Sequence, residues 1–258
     1  MSKQHENAAR FRALHIPGRP LVLFNIWDPG SAGAVVKAGA QAIATGSWSV
    51  AKANGFNDGE NVPIDLAMDN LARIVAATSL PVSVDIESGY GKDPDAVRRT
   101  VQRTIEAGAV GCNLEDSAPG SGELRVLREQ VLRIEAAKYA SGAAIPEYFI
   151  NARTDVFFQG SAQTHDVAMV EQVLERARAY AAAGADGLFV PGLIDNALIA
   201  RLAAASPLPL NVMVSGGTPS LRQLSNAGVA RVSHGPGPYA AMMRALEEAA
   251  RTAMALGE

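Results

Sequence analysis

Ala38-Gly39-Ala40, Ala107-Gly108-Ala109, Ala183-Gly184-Ala185 and Ala227-Gly228-Val229 punctuate the chain, each after an alanine-rich amphipathic stretch and before a short β-type run. Glycine is favoured just past a helix end, where the backbone turns left-handed, so four such junctions predict repeated helix-to-strand units. Working outward from them, apolar runs fall at Leu21–Ile26, Ala40–Thr45, Pro81–Ile86, Ala109–Leu114, Tyr148–Ala152, Asp186–Val190, Leu208–Val214 and Ala230–Ser233, each followed by a helical pattern. Several runs are apolar on both faces, as parallel strands covered by helices are, and the spacing averages about 30 residues per βα unit. Alternation alone does not close a barrel, and an open doubly wound sheet has the same rhythm. No Gly-x-Gly-x-x-Gly follows the first run, and the count of eight favours closure. The expected fold is therefore α/β, a single (β/α)8 barrel over residues 1–258.

Composition agrees with one soluble domain: 258 residues, 48% hydrophobic and 19% charged. The net charge of -3 provides no global basic field to hold nucleic acid. Cys112 is the single cysteine, so no disulfide framework forms within the chain. Met1 to Arg12 is polar and charged where a signal peptide needs an apolar stretch, and no run approaches the roughly 20 apolar residues of a membrane span. A cytoplasmic location is expected. The segments richest in loop residues, Lys52–Pro63 after the second strand and Ser117–Glu123 after the fourth, lie where barrel enzymes build their sites.

Three successive strands end in pairs of polar residues: Asp85 and Glu87, Asn113 and Glu115, Asn151 and Arg153. Residues two apart on a strand share a face, so each pair should converge. Carboxylates gathered so closely repel, and a hard divalent cation among Asp85, Glu87 and Glu115 would relieve them. Magnesium fits best, with Mn2+ as the alternative, because one or two carboxylates bind it directly while others hold its water shell. Salt bridges to Arg153 or to loop lysines are the competing reading. His5, His15, His165 and His234 are scattered singly and form no zinc-like cluster.

The segments Asp85-Ile86-Glu87-Ser88-Gly89-Tyr90-Gly91, Asn113-Leu114-Glu115-Asp116 and Asn151-Ala152-Arg153-Thr154-Asp155 resemble the isocitrate lyase and phosphoenolpyruvate mutase superfamily, over a stretch from about Asn25 to the last helix. The resemblance implies a barrel, often with its last helix exchanged between subunits, assembled as a homodimer or homotetramer, with magnesium and a 2-oxo acid at the strand ends. It implies that Asp85 is the principal metal-side carboxylate, supported by Glu87 and Glu115 directly or through water, and that Arg153 contacts substrate. Asp58, in Gly55-Phe56-Asn57-Asp58-Gly59-Glu60, matches a loop aspartate near the reacting centre. Thr45-Gly46-Ser47-Trp48 matches a turn whose amides receive substrate oxygens, and Asn211 matches a site position on the seventh strand. Asn113 joins the substrate-binding set with them. Trp27 and Trp48 follow strands 1 and 2, where they would wall the pocket.

The departures narrow the chemistry. The lyases of this superfamily carry a Lys-[Lys/Arg]-Cys-Gly-His loop after strand 4, and here Ser117-Ala118-Pro119-Gly120-Ser121-Gly122-Glu123 stands in its place. Cys112 lies within the strand, on the face opposite Asn113 and Glu115, and reads as a small buried hydrophobe. Glu87 replaces the more common aspartate, and Ser47 is shifted by one place relative to the mutases. The expected activity is that of a magnesium-dependent carbon–carbon lyase or decarboxylase acting on a small 2-oxo acid through an enolate. Asp58 is the expected general base, with Arg153 and the amides of Gly46 and Ser47 stabilising the oxyanion. A phosphonopyruvate mutase or hydrolase is the nearest alternative, and a metal- and oxo-acid-binding sensor is the alternative of another class. Ser117–Glu123 reads either as a closing lid or as a connection, and Tyr239–Leu256 as an outer helix or an exchanged subunit contact.

Overall fold

Gly39, Gly108, Gly184 and Gly228 all adopt left-handed backbone, with φ of 93°, 96°, 95° and 86°, each just past a helix end. The structure, a computed structural model, describes residues 2–255. The strands are β1 (Leu21–Leu23), β2 (Ile43–Ala44), β3 (Val82–Asp85), β4 (Gly111–Glu115), β5 (Phe149–Arg153), β6 (Gly187–Val190), β7 (Leu210–Met213) and β8 (Arg231–Ser233). Helix α1 (Lys3–Ala13) precedes them, α2 (Pro29–Lys37) follows β1, and α3 (Ser47–Ala53) and α4 (Ile64–Ala76) follow β2. After β3 to β8 in turn come α5 (Pro94–Glu106), α6 (Leu127–Ala144), α7 (Val167–Ala182), α8 (Asn196–Ala205), α9 (Leu221–Asn226) and α10 (Gly237–Ala255).

Every paired strand is parallel to its neighbour, in the order β1-β8-β7-β6-β5-β4-β3-β2. The ends of that order meet, because Ile26 donates its amide to the Ala44 carbonyl at 2.9 Å and Gly46 donates to Ile26 at 3.1 Å. The (β/α)8 barrel is thus closed. Its first two strands are shorter than their apolar runs. Asn25 ends the β1 ladder by turning its side chain into the seam, donating to the Thr45 carbonyl and accepting from the amides of His234 and Gly235, each at 2.9 Å. The segment Lys52–Pro63 is likewise only partly loop, since Lys52 and Ala53 close the short helix α3.

Strand alternation sorts β4 cleanly. Cys112 and Leu114 are fully buried under the outer helices, while Asn113 points into the barrel and meets Asn151 and Arg231. Burial pushes the Cys112 thiol up to about 12, which makes it inert. The opposite end of the barrel is stoppered by α1. Phe11 is fully buried, edge-on to Phe149 with ring centroids 5.7 Å apart, and His15 stacks on Phe149 at 3.9 Å. At Gly111 a Cβ would fall 2.7 Å from the Phe149 carbonyl and 3.2 Å from the Phe11 ring, so glycine lets the plug seat.

Helix α10 contrasts with the others. Pro238 is its one buried residue among those described, while Met242, Leu246 and Met254 are exposed. Beside it, Val22 on the outer face of β1 and Phe24 just past its end are also partly bare, and Phe24, Trp27, Val35, Pro238 and Met242 line a groove of about 320 Å3. Among the described residues no helix is long and apolar enough to cross a membrane.

The junction glycines are not equivalent. A Cβ on Gly39 would meet nothing within 4 Å, whereas one on Gly108 would fall 2.7 Å from Val75 Cγ1. Gly39→Ala should therefore cost only the left-handed penalty, about 1–2 kcal/mol. Gly108→Ala should cost about 1–3 kcal/mol more from the clash, read as a lower urea midpoint with an unchanged m-value.

Candidate active site

At the carboxyl ends of the strands lies a cavity of about 150 Å3 whose lining includes Asn25, Gly46, Ser47, Trp48, Asp58, Asp85, Asn113, Arg153, Phe189 and Met213. Asp85 closes β3. Its carboxylate accepts from Ser47 Oγ at 3.2 Å, more distantly from the Ser47 amide at 3.5 Å, and from the Glu87 amide at 3.1 Å. Its own amide donates to Thr45 Oγ1, so Thr45 braces the carboxylate from below. Among the described residues no lysine or arginine lies within 4 Å of Asp85, Asp58 or Glu87.

Those three acids feel one another. Burial, and then the charge of Asp85, raise the Asp58 carboxyl above its ordinary value, with a hydrogen bond from Ser47 working against them. Glu87 is pushed up to about 8, first by burial and then by Asp85 and Asp58. Two-residue spacing is not what brings Glu87 to Asp85. Glu87 lies beyond the end of β3 in left-handed backbone, φ 52°, and Glu60 and Tyr90 share that conformation at 60° and 54°. They are the only non-glycine residues with positive φ among those described, and all three hydrogen-bond together: the Glu60 amide donates to Glu87 Oε2 at 2.6 Å, and the Glu60 carboxylate accepts from Ser88 Oγ and the Tyr90 amide at 2.7 Å. Backbone strain of this kind concentrates at functional sites. Glu60 stands two residues after Asp58, and its importance rests on partners across the fold that a linear motif does not display.

Arg153 is held on both sides. Its guanidinium pairs with Glu115 at 2.7 Å and grips Asp155 through two bonds of 2.6 and 2.9 Å. Burial works against its charge, but Glu115 and Asp155 hold its pKa above the ordinary value. For Glu115 burial pushes the carboxyl up while Arg153 pulls it down; at 2.7 Å the pair is best described as an ion pair. Asp155 also accepts from Ser117 Oγ, and its amide donates to Asp116, which is fully buried against Arg176 and the Tyr180 hydroxyl. Asp155 and Asp116 both stand in the quoted motifs, yet their function as a brace behind Arg153 becomes visible only in three dimensions.

Four expected site residues are placed differently, the first being Thr45, which is absent from the cavity lining, its amide donating to the Ser83 carbonyl and its hydroxyl accepting from the Asp85 amide. Asn211 is buried one layer below the cavity; its Oδ1 accepts from Asn151 and its Nδ2 donates to main-chain carbonyls and Ser233, so no free polar edge reaches the cavity. Trp27 follows the early turn at Asn25, which carries its ring outward against Tyr239 at 5.0 Å and into the groove beside α10. Gly46 lines the cavity, but its amide is engaged in the β1–β2 seam, leaving Ser47 as the polar contact there. Trp48 lines the cavity as expected. Ser117–Glu123 folds back on itself, with Ala118 donating to Glu123 at 2.9 Å and Gly122 to Ala118 at 3.0 Å.

Among the described residues no three His, Cys, Asp or Glu side chains form a ready-made metal cage. Magnesium does not require one, since it keeps several waters and takes one or two carboxylates. An all-oxygen set with no salt-bridged cation, Asp85 and Asp58 at the cavity and Glu87 next to Asp85, suits such an ion.

The phosphoenolpyruvate phosphomutase family profile matches residues 11–254. A crystal structure from Burkholderia cenocepacia J2315, provisionally assigned as a phosphonomutase, is 56% identical with a TM-score of 0.94, over 97% of this chain and 99% of that one. The 2-methylisocitrate lyase of Escherichia coli K12 is 31% identical over 94% of this chain and 83% of its own length. The oxaloacetate decarboxylase of Ectopseudomonas mendocina is 31% identical over 97% and 85%. With a closed barrel, carboxylates at its strand ends and a match across almost its entire length, the chain belongs to the phosphoenolpyruvate mutase family of the isocitrate lyase superfamily.

Proposed function

We propose that the chain is a magnesium-dependent carbon–carbon lyase or decarboxylase that releases a small 2-oxo acid by way of its enolate. The observation that carries this reading is that Asp85, which forms no salt bridge among the described residues, lines the same cavity as Arg153. Asp85 would hold the ion, with Glu87 and Glu115 supporting it through water; Mn2+ suits the same oxygens. Magnesium bound there would act as a Lewis acid toward the carbonyl of the oxo acid. Arg153, fixed by Asp155, offers its charge where the oxyanion develops, a stabilisation worth several kcal/mol in a dry site. Ser47 and Asn113 orient the substrate's oxygens. Asp58, whose carboxyl is raised by burial, takes or returns the proton of the departing fragment as a general base.

The names of the Escherichia coli and Ectopseudomonas relatives support carbon–carbon chemistry. The Burkholderia structure favours phosphonopyruvate mutase or hydrolase activity as the second reading. Against it, Arg153 is the one cation among the described residues lining the cavity. For assembly, a second copy is the proposed cover for the exposed apolar face of α10 and the groove beside β1, giving a homodimer or homotetramer.

Four experiments test these points. Incubation with Mg2+ and oxaloacetate, 2-methylisocitrate, other substituted malates or phosphonopyruvate, followed by NMR, should show release of a 2-oxo acid. Turnover of phosphonopyruvate alone would instead establish the second reading, and binding with no turnover would indicate a sensor. Asp85→Ala should remove the magnesium-dependent rise in Tm and lower turnover by at least about 100-fold.

Without metal, the raised Glu87 carboxyl contributes stability that is complete below its ordinary 4.5 and lost as pH climbs to about 8. Across that window the Tm of the metal-free wild type should fall relative to Glu87→Gln, and added Mg2+ should shrink the difference. The double variant Met242→Glu/Leu246→Glu should elute as a smaller species in size-exclusion chromatography with light scattering.

A further inference from the structure

The two halves of the cavity differ in chemistry. In the ring of eight strands, β2 and β3 stand across from β6 and β7. The first pair brings Ser47, Asp58 and Asp85, whereas the far side carries Phe189 from the end of β6, Met213 from the end of β7 and Phe158 from the turn after β5. This apolar side is built rather than incidental. A Cβ on Gly192 would fall 3.0 Å from the Phe158 ring, and one on Gly235 would fall 2.6 Å from Met213 Sδ, so two glycines with positive φ make room for these side chains. Phe158 and Phe189 flank the Arg153 guanidinium at 5.8 and 5.9 Å. Phe158 remains 48% exposed at the cavity mouth, a large aromatic surface left open to solvent. Arg153 is shared by Glu115 and Asp155 and, in the reading above, committed to the developing oxyanion, so a second anionic group placed against this wall meets no cation of its own there.

Resting on the function proposed above, we infer that Phe158, Phe189 and Met213 form the subsite for the substituent that stays on the third carbon of the 2-oxo acid, and that this substituent is a short hydrocarbon. The product is then a 2-oxo acid with an alkyl tail, and a second carboxylate or a phosphoryl group at that position is disfavoured by desolvation without compensation. The cavity, at about 150 Å3, limits the tail to a few carbons.

The test uses Mg2+-dependent binding, measured by calorimetry on the full chain. Oxalate, a planar mimic of an enolate's chelating oxygens, lacks a third carbon and reports on the underlying reading alone. Pyruvate, 2-oxobutyrate and 2-oxovalerate vary the tail, and 2-oxoglutarate replaces the terminal methyl of 2-oxovalerate with a carboxylate. Affinity should rise about fourfold per methylene from pyruvate to 2-oxovalerate. 2-Oxoglutarate should bind at least about tenfold more weakly than 2-oxovalerate, as expected for a carboxylate left without a partner. Phe158→Ala, at a half-exposed position that folding tolerates, and Met213→Ala should each move that ratio toward one. Oxalate binding together with a flat series, or with tighter binding of 2-oxoglutarate or phosphonopyruvate than of 2-oxovalerate, would overturn this inference and leave the parent reading standing. Failure of oxalate to bind with Mg2+ would remove both.

Discussion

Negative charge crowded into a partly buried mouth is the constraint around which the rest of the site is organised. Asp58, Asp85, Glu87, Glu115 and Asp155 all lie at the ends of neighbouring elements, and one guanidinium, Arg153, answers only the last two of them directly. In a low-dielectric setting such an imbalance is costly unless a proton, an ion or a rigid frame absorbs it. Here the frame is explicit. Glu60 ties the loop after α3 to the residues following β3 through three hydrogen bonds, and left-handed backbone at Glu60, Glu87 and Tyr90 keeps the acids facing one another.

Beneath that mouth the barrel does not rely on hydrocarbon alone. Asn113, Asn151, Asn211 and Ser233 link β4, β5, β7 and β8, and the buried Arg231 donates to Asn113 from the other side. Burial lowers Arg231 to about 9, with the charge of Asp85 acting in the opposite direction. A cation in the interior thus offsets part of the acidic field above it. The exchange has a structural benefit as well, because interlocked carboxamides fix the register of four strands more specifically than interchangeable aliphatic groups would.

Much of this was legible in the chain because it depends on local physics. Junction glycines report helix ends, and paired polar residues at strand ends report an inward face; both readings lead to Asp85, Asn113, Glu115 and Arg153. What escaped depends on long-range contacts. Glu87 reaches the site through a turn rather than through strand alternation. Trp27 is carried outward because the β1 ladder stops at Leu23, and Asn211, matched by resemblance, is held by carboxamides that are already bonded to one another. Arg231 sits in an apolar run near Val232, where sequence offers no hint that its charge points into the barrel. The stoppering action of α1 was invisible for a similar reason: Phe11 and His15 are separate aromatic residues in a polar stretch until Gly111 and Phe149 meet them.

That stopper has a kinetic corollary. With Phe11 and its neighbours sealing one end of the barrel, whatever enters the cavity at the strand ends must depart by the same doorway. Two fragments formed together would therefore have to leave in sequence, the outer one first, and traffic through a single opening becomes part of the enzyme's cycle.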